Sequence, residues 1–182
     1  FLSSVLGWSF WQSGGFLAVW VIGYGIVQAA TPGLLRSRVQ EQREPDGRTA
    51  TILAFALAAL PAAIALALDA GIAPARVVIV GLILFGVVFA LNSAVHSYLI
   101  LAYTDSDKVA MNVGFYYMAN AAGRLAGTVL SGALYQWGLQ SGAQQGLVAC
   151  LWASAIFVLI AGLLSLLLPR HSAPRSKPVA CP

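Results

Sequence analysis

Four residues able to donate hydrogen bonds or carry charge, Tyr116, Asn120, Arg124 and Thr128, recur at intervals of four within one long apolar stretch. On a helix that spacing stacks them into a single ridge. The segment Asn112 to Tyr135 has the length and apolarity of a bilayer span and carries Arg124 near its middle. A guanidinium keeps its proton and is costly at membrane depth, so the expected surroundings are a protein interior or a wet cavity. Its planar fork matches the oxygens of carboxylate or phosphate. The chemistry on offer is therefore recognition of an anion on a transport path. The competing reading is structural: Arg124 pairs with a carbonyl or a carboxylate elsewhere and only locks a bundle.

Two further sets share this spacing. Asn92 and His96 fall on one helix face with Ser93 and Ser97 alongside, and Trp20, Tyr24, Gln28 and Thr31 follow one another along a third segment. Counted at about 1.5 Å per residue, Asn92 and Asn120 reach similar depth near the midplane, with Arg124 one turn to one side and His96 one turn to the other. Histidine suits proton transfer at physiological pH, so His96 is a candidate relay; a neutral ring donating one interhelical hydrogen bond explains it equally well. The candidate substrate contacts are Arg124, Asn120, Tyr116, Asn92, His96, Tyr24 and Gln28.

No enzyme chemistry is visible. The spans hold no paired carboxylates, no His-Glu zinc spacing, no serine nucleophile elbow and no phosphate-cradling glycine loop, so neither a metal nor a cofactor is expected. Asp105 and Asp107 flank a helix start beside Lys108, where negative charge offsets the helix dipole; they read as a cap and latch, not an acid-base pair. Cys150 in an apolar run and Cys181 in the tail read as free thiols.

The elements that must position these residues are set by composition. Of 182 residues, 59% are hydrophobic and 9% charged, with mean hydropathy +0.82, whereas soluble domains carry about 25% charge. The fold expected is all-α, a polytopic transmembrane helix bundle in a lipid bilayer. Five spans are expected at 14–35, 50–68, 77–101, 110–134 and 146–168. The stretch 1–13 reads as the remnant of a preceding helix or an outer loop, and 169–182 as a cytoplasmic tail. Ala119, Gly123, Gly127 and Ser131 form a ridge of small residues suited to close helix packing. The second span, with Pro61 at its centre, and the fifth read as supporting helices.

Lysine and arginine fall mainly on alternate connections. Arg36, Arg38, Arg43 and Arg48, then Lys108, then Arg170, Arg175 and Lys177 mark one side, which the positive-inside rule makes cytoplasmic together with the C-terminus. The charge therefore reports orientation, and no nucleic-acid partner is expected. Trp8, Trp11 and Trp20, with Tyr135 and Trp137, read as aromatic anchors toward the other side. Starting outside and ending inside needs an odd number of crossings, so at least one further helix is expected before Phe1.

LILAYTDSDKVAMNVGFYYMANAAGRLAGTVLSGALYQWG and WSFWQSGGFLAVWVIGYGIVQAATPGLL resemble the major facilitator superfamily. More narrowly they are similar to the organoarsenical efflux permeases, the ArsJ type, of bacterial arsenate-resistance operons. PDGRT at Pro45 to Thr49 is a faint counterpart of the superfamily's Gly-Asp-Arg gating motif. The resemblance spans essentially the whole chain and implies the C-terminal half of such a fold, in a bacterial inner membrane, partnered by the N-terminal half of the same transporter. It implies export of a small organic anion, 1-arseno-3-phosphoglycerate, by rocking of two six-helix halves. Two other functions fit the residues: a multidrug or sugar exporter of the same fold using Trp20 and Tyr24, and a non-transporting assembly subunit whose small-residue ridge binds a partner helix.

Overall fold

The computed structural model describes residues 1–39, 47–104 and 107–167. Within them lie five helices and no strand: α1 (Phe10–Val39), α2 (Gly47–Asp69), α3 (Pro74–Ala102), α4 (Val109–Leu139) and α5 (Ala143–Ser165). Arg43, Asp105 and the tail with Arg170, Arg175, Lys177 and Cys181 lie outside the described residues.

Local chemistry sets the ends. Ser9 and Gln12 form a reciprocal capping box, the Gln12 N–H donating to Ser9 Oγ at 3.2 Å and the Ser9 N–H donating to Gln12 Oε1 at 2.8 Å. That box moves one boundary: Phe10 and Trp11, expected in the stretch before the first span, belong to α1. Gly71, at φ +75°, closes α2 in the left-handed conformation that glycine tolerates best. Around it the Ile72 N–H donates to Ala67 O and the Gly71 N–H to Leu68 O, both at 3.1 Å, which is the Schellman closure. Pro74 then opens α3, where its missing N–H costs nothing. Neither Pro61 inside α2 nor the glycines of α1 interrupt their helices.

Four helices, all but α4, are long and apolar enough to cross a membrane. The span expected at 110–134 is corrected here: α4 has the length at 31 residues but not the apolarity. Its tyrosines, Asn120, Arg124, Thr128 and run of glycines dilute the hydrocarbon surface, and the chemistry that makes it interesting also makes it a poor lipid-facing helix.

α2 is the centre. It packs heavily on α5 and on α3; α1 lies against α3 alone, and α4 lies against α5 with sparse contact to α3. The buried face of α2, including Ala50, Ala54, Leu57, Ala58, Ile64 and Leu68, is rich in small residues, which lets its neighbours approach. Gly81 of α3 sits so close that a Cβ there would lie 2.5 Å from Ile64 Cδ1. Across the other side Gly162 of α5 faces Ala54 and Phe55 at ordinary contact distance.

The helices alternate in direction. One end gathers residues 1–9, the α2–α3 turn and the α4–α5 turn, where Gln144 Nε2 donates to Leu68 O at 3.0 Å. At the opposite end Thr51 Oγ1 donates to Ser165 O at 3.1 Å, beside a core of Ala50, Val95 and Leu99. Much of the outer surface is aliphatic, with Ile52, Ile83, Ile156 and Ile160 all exposed. So large an apolar surface suits a bilayer and would be a liability in water.

Candidate functional site

The polar residues expected from spacing fall into two sets on two arms, α1 with α3 and α4 with α5, both hung on α2. On the second arm Tyr116, Asn120 and Arg124 lie along one flank of α4 as the four-residue spacing requires. With Ala119 and Gly123 they line an open concavity of about 380 Å³. Among the described residues the Arg124 guanidinium has no ion pair and no hydrogen bond. Asn120 and Arg124 are exposed and Tyr116 is half-buried against the ring of Tyr117 at 5.5 Å.

Two expectations for this helix are corrected. Thr128 is not a free donor at the end of the ridge, because its hydroxyl is spent on Arg124 O at 2.8 Å, one turn back. The small-residue ridge is not a packing seam along its length: a Cβ built on Gly123 or Gly127 meets nothing within 4 Å, and only its last member, Ser131, touches α5. The close approach of α4 and α5 lies farther along, where Gly138 faces Gly146 and Gly146 in turn faces Tyr135, and where Cys150 Sγ donates to Ser131 O at 3.3 Å. At the start of α4 the N-cap position is Lys108 and no side chain caps the helix, so Asp107 is not the cap its position suggested.

On the first arm α1 meets α3 through an aromatic ladder. Trp20 stacks on Tyr24 at 6.0 Å, Tyr24 on Phe89 at 5.6 Å and Phe89 on Phe85 at 5.7 Å. The Trp20 Nε1–H donates to Leu82 O at 2.7 Å, pinning the ring over Gly86, where a Cβ would come within 3.1 Å of it. One turn on from Tyr24, Gln28 Nε2 donates to Ser93 Oγ at 3.3 Å. Beside the ladder runs a groove of about 310 Å³ lined by Phe16, Val19, Trp20, Gly23, Tyr24 and residues of α3.

Asn92 and His96 are coupled within α3. His96 Nδ1 lies 2.9 Å from Asn92 O; a carbonyl only accepts, so this bond requires the hydrogen on Nδ1. The side-chain oxygen Oδ1 of Asn92 is buried and has no partner among the described residues. Such an acceptor accommodates a donor.

The fold thus brings Tyr24 and Gln28 against Phe89 and Ser93 of α3, the helix that also carries Asn92 and His96, and keeps Tyr116, Asn120 and Arg124 together on α4. It does not join the two sets: α1 and α4 have no contact with each other among the described residues. Spacing missed the groove, the Trp20 pin and the roles of Phe85, Phe89 and Gly86. The repeat of aromatics four apart at Trp20 and Tyr24, and again at Phe85 and Phe89, was the available signal. Among the described residues no three His, Cys, Asp or Glu side chains gather as a metal site. No protein-family model matches the chain, and neither a curated protein nor a solved structure is significantly similar to it.

Proposed function

We propose that this chain is the C-terminal half of a secondary transporter of the major facilitator type, exporting a small organic anion across a bacterial inner membrane with its C-terminus in the cytoplasm. One observation carries the reading: Arg124 stands unpaired among the described residues, on an open concavity it shares with Tyr116 and Asn120. Lipid cannot cover that face, so water, solute or another protein segment must. A guanidinium fork beside a phenol and an amide suits a phosphate or arsenate oxygen set, each charge-assisted bond contributing about 1.5–3 kcal/mol. The sequence resemblance narrows the anion to 1-arseno-3-phosphoglycerate, and the N-terminal half of the transporter supplies the facing wall.

The test is growth. The full-length protein is expressed with a glyceraldehyde-phosphate dehydrogenase in an arsenate-sensitive strain, as wild type, Arg124→Ala and Arg124→Lys. Resistance is expected from wild type and lost in both variants, because an ammonium does not reproduce the fork. Unchanged resistance in both variants removes Arg124 from the mechanism, and no resistance from wild type removes the arsenical as substrate.

A second reading draws on the α1–α3 groove, whose lining is apolar and aromatic. It fits a lipophilic solute, as in multidrug exporters. Uptake into everted vesicles competed by phosphoglycerate supports the anion; competition by lipophilic cations alone supports the groove.

A further inference from the structure

The stretch before α1 is built to bridge. Phe1, Leu2, Val5 and Leu6 are half-buried while Ser3, Ser4 and Gly7 face out, so the segment has an apolar side laid on the bundle. It is folded on itself by Val5 N–H donating to Phe1 O at 2.8 Å and Trp8 N–H donating to Leu2 O at 3.1 Å. Trp8 packs edge-on against Phe16 at 5.5 Å, and the Ser9–Gln12 box fixes where the helix begins. Its far side reaches α4, Ser4 Oγ lying 3.4 Å from Tyr135 Oη.

That reach matters because of the helix order. Among the described residues α1 packs on α3 alone of the helices, α4 leans mainly on α5, and no contact joins α1 to α4. α3 and α4 meet sparsely, and the side-chain bond between their ends, Asn112 Nδ2 donating to Thr104 Oγ1 at 3.2 Å, is at the opposite end of the bundle from Ser4. Beyond α2, on which both hang, the two arms are therefore joined at one end by the α3–α4 turn and crossed at the other by the segment 1–9. We propose that this segment is a strap that keeps the arms together at its end, and that its release lets α4 part from α1 and α3. A contact between two exposed hydroxyls at 3.4 Å is weak, which suits a tie that opens and recloses. The strap works whatever the solute, and stands apart from the anion reading.

The test is a distance. Spin labels at Val19 of α1 and Val129 of α4, both exposed mid-helix positions, are placed in the full-length protein with Cys150→Ala and Cys181→Ala, in lipid nanodiscs. Pulsed dipolar spectroscopy is expected to show a major short distance and a minor longer one. Ser4→Ala and Tyr135→Phe each remove one hydroxyl and are expected to raise the longer population about twofold, the low end of the worth of a hydrogen bond. Val5→Asp, which lifts the apolar side of the strap, is expected to raise it further. Distributions that overlay wild type for all three variants overturn the proposal. Arsenate resistance measured on the Arg124 variants is independent of that outcome.

Discussion

Replacing Gly138 by alanine is expected to weaken the α4–α5 hairpin, whereas the same change at Gly123 is not. A Cβ on Gly138 would lie 2.8 Å from Gln145 O and 2.8 Å from Gly146 Cα, both backbone atoms of the facing helix start. Backbone cannot swing aside as a side-chain tip can, so the change falls in the upper part of the overpacking range, about 1–3 kcal/mol. At Gly123 the space is open to 4 Å, and alanine gains about 0.5–1 kcal/mol over glycine in a helix. For a chain of this size about 2–4 °C of melting temperature accompanies each kcal/mol, giving a fall of about 4–12 °C for Gly138→Ala and no fall for Gly123→Ala. Cys150 reports directly, since its thiol bonds Ser131 O across the same interface. Thermal unfolding in detergent is followed with a thiol-reactive fluorophore, in a Cys181→Ser background. Equal melting for Gly138→Ala and wild type refutes the packing. A fall at Gly123→Ala as large as at Gly138 shows that another helix covers the small-residue ridge in the intact protein.

Two further outcomes follow from the α1–α3 contact. Trp20→Phe keeps the ring stack on Tyr24 but removes the donor to Leu82 O, so a loss of about 0.5–1.5 kcal/mol is expected in detergent unfolding; no loss shows that the pin does not hold α1. A double-mutant cycle of Gln28→Ala with Ser93→Ala is expected to give a coupling near 0.6 kcal/mol, the average for membrane interhelical hydrogen bonds. Strict additivity removes that bond.

Much of the architecture was legible in advance because a helix in lipid must satisfy its own backbone. Length and apolar character marked the helices, although α4 falls short of a span's apolarity; most ends run a few residues past the expected limits, as at the capped start of α1, while α5 ends at Ser165, short of the expected 168. The ridge of Tyr116, Asn120 and Arg124 was readable from spacing, since the 3.6-residue period leaves no choice of face. Which ridge meets a neighbour was not readable. Gly123 and Gly127 sit on a ridge of small residues yet are open, whereas Gly81, with Val77 and Phe85 one turn to either side, is crowded, because packing depends on where the facing helix lies. Thr128 shows the same limit in a side chain: a hydroxyl on a polar ridge is available only if its own helix has not already taken it.

The central claim is that the polar flank of α4 faces water that admits anions, with Arg124 as the attracting charge. Cysteine at Asn120, one turn from Arg124, in the full-length protein lacking Cys150 and Cys181, measures this through its reaction rates with anionic and cationic methanethiosulfonates in intact membranes. Modification by both reagents is expected, faster for the anion, with that preference lost on Arg124→Gln. No modification by either reagent, or an anion preference that survives Arg124→Gln, contradicts it.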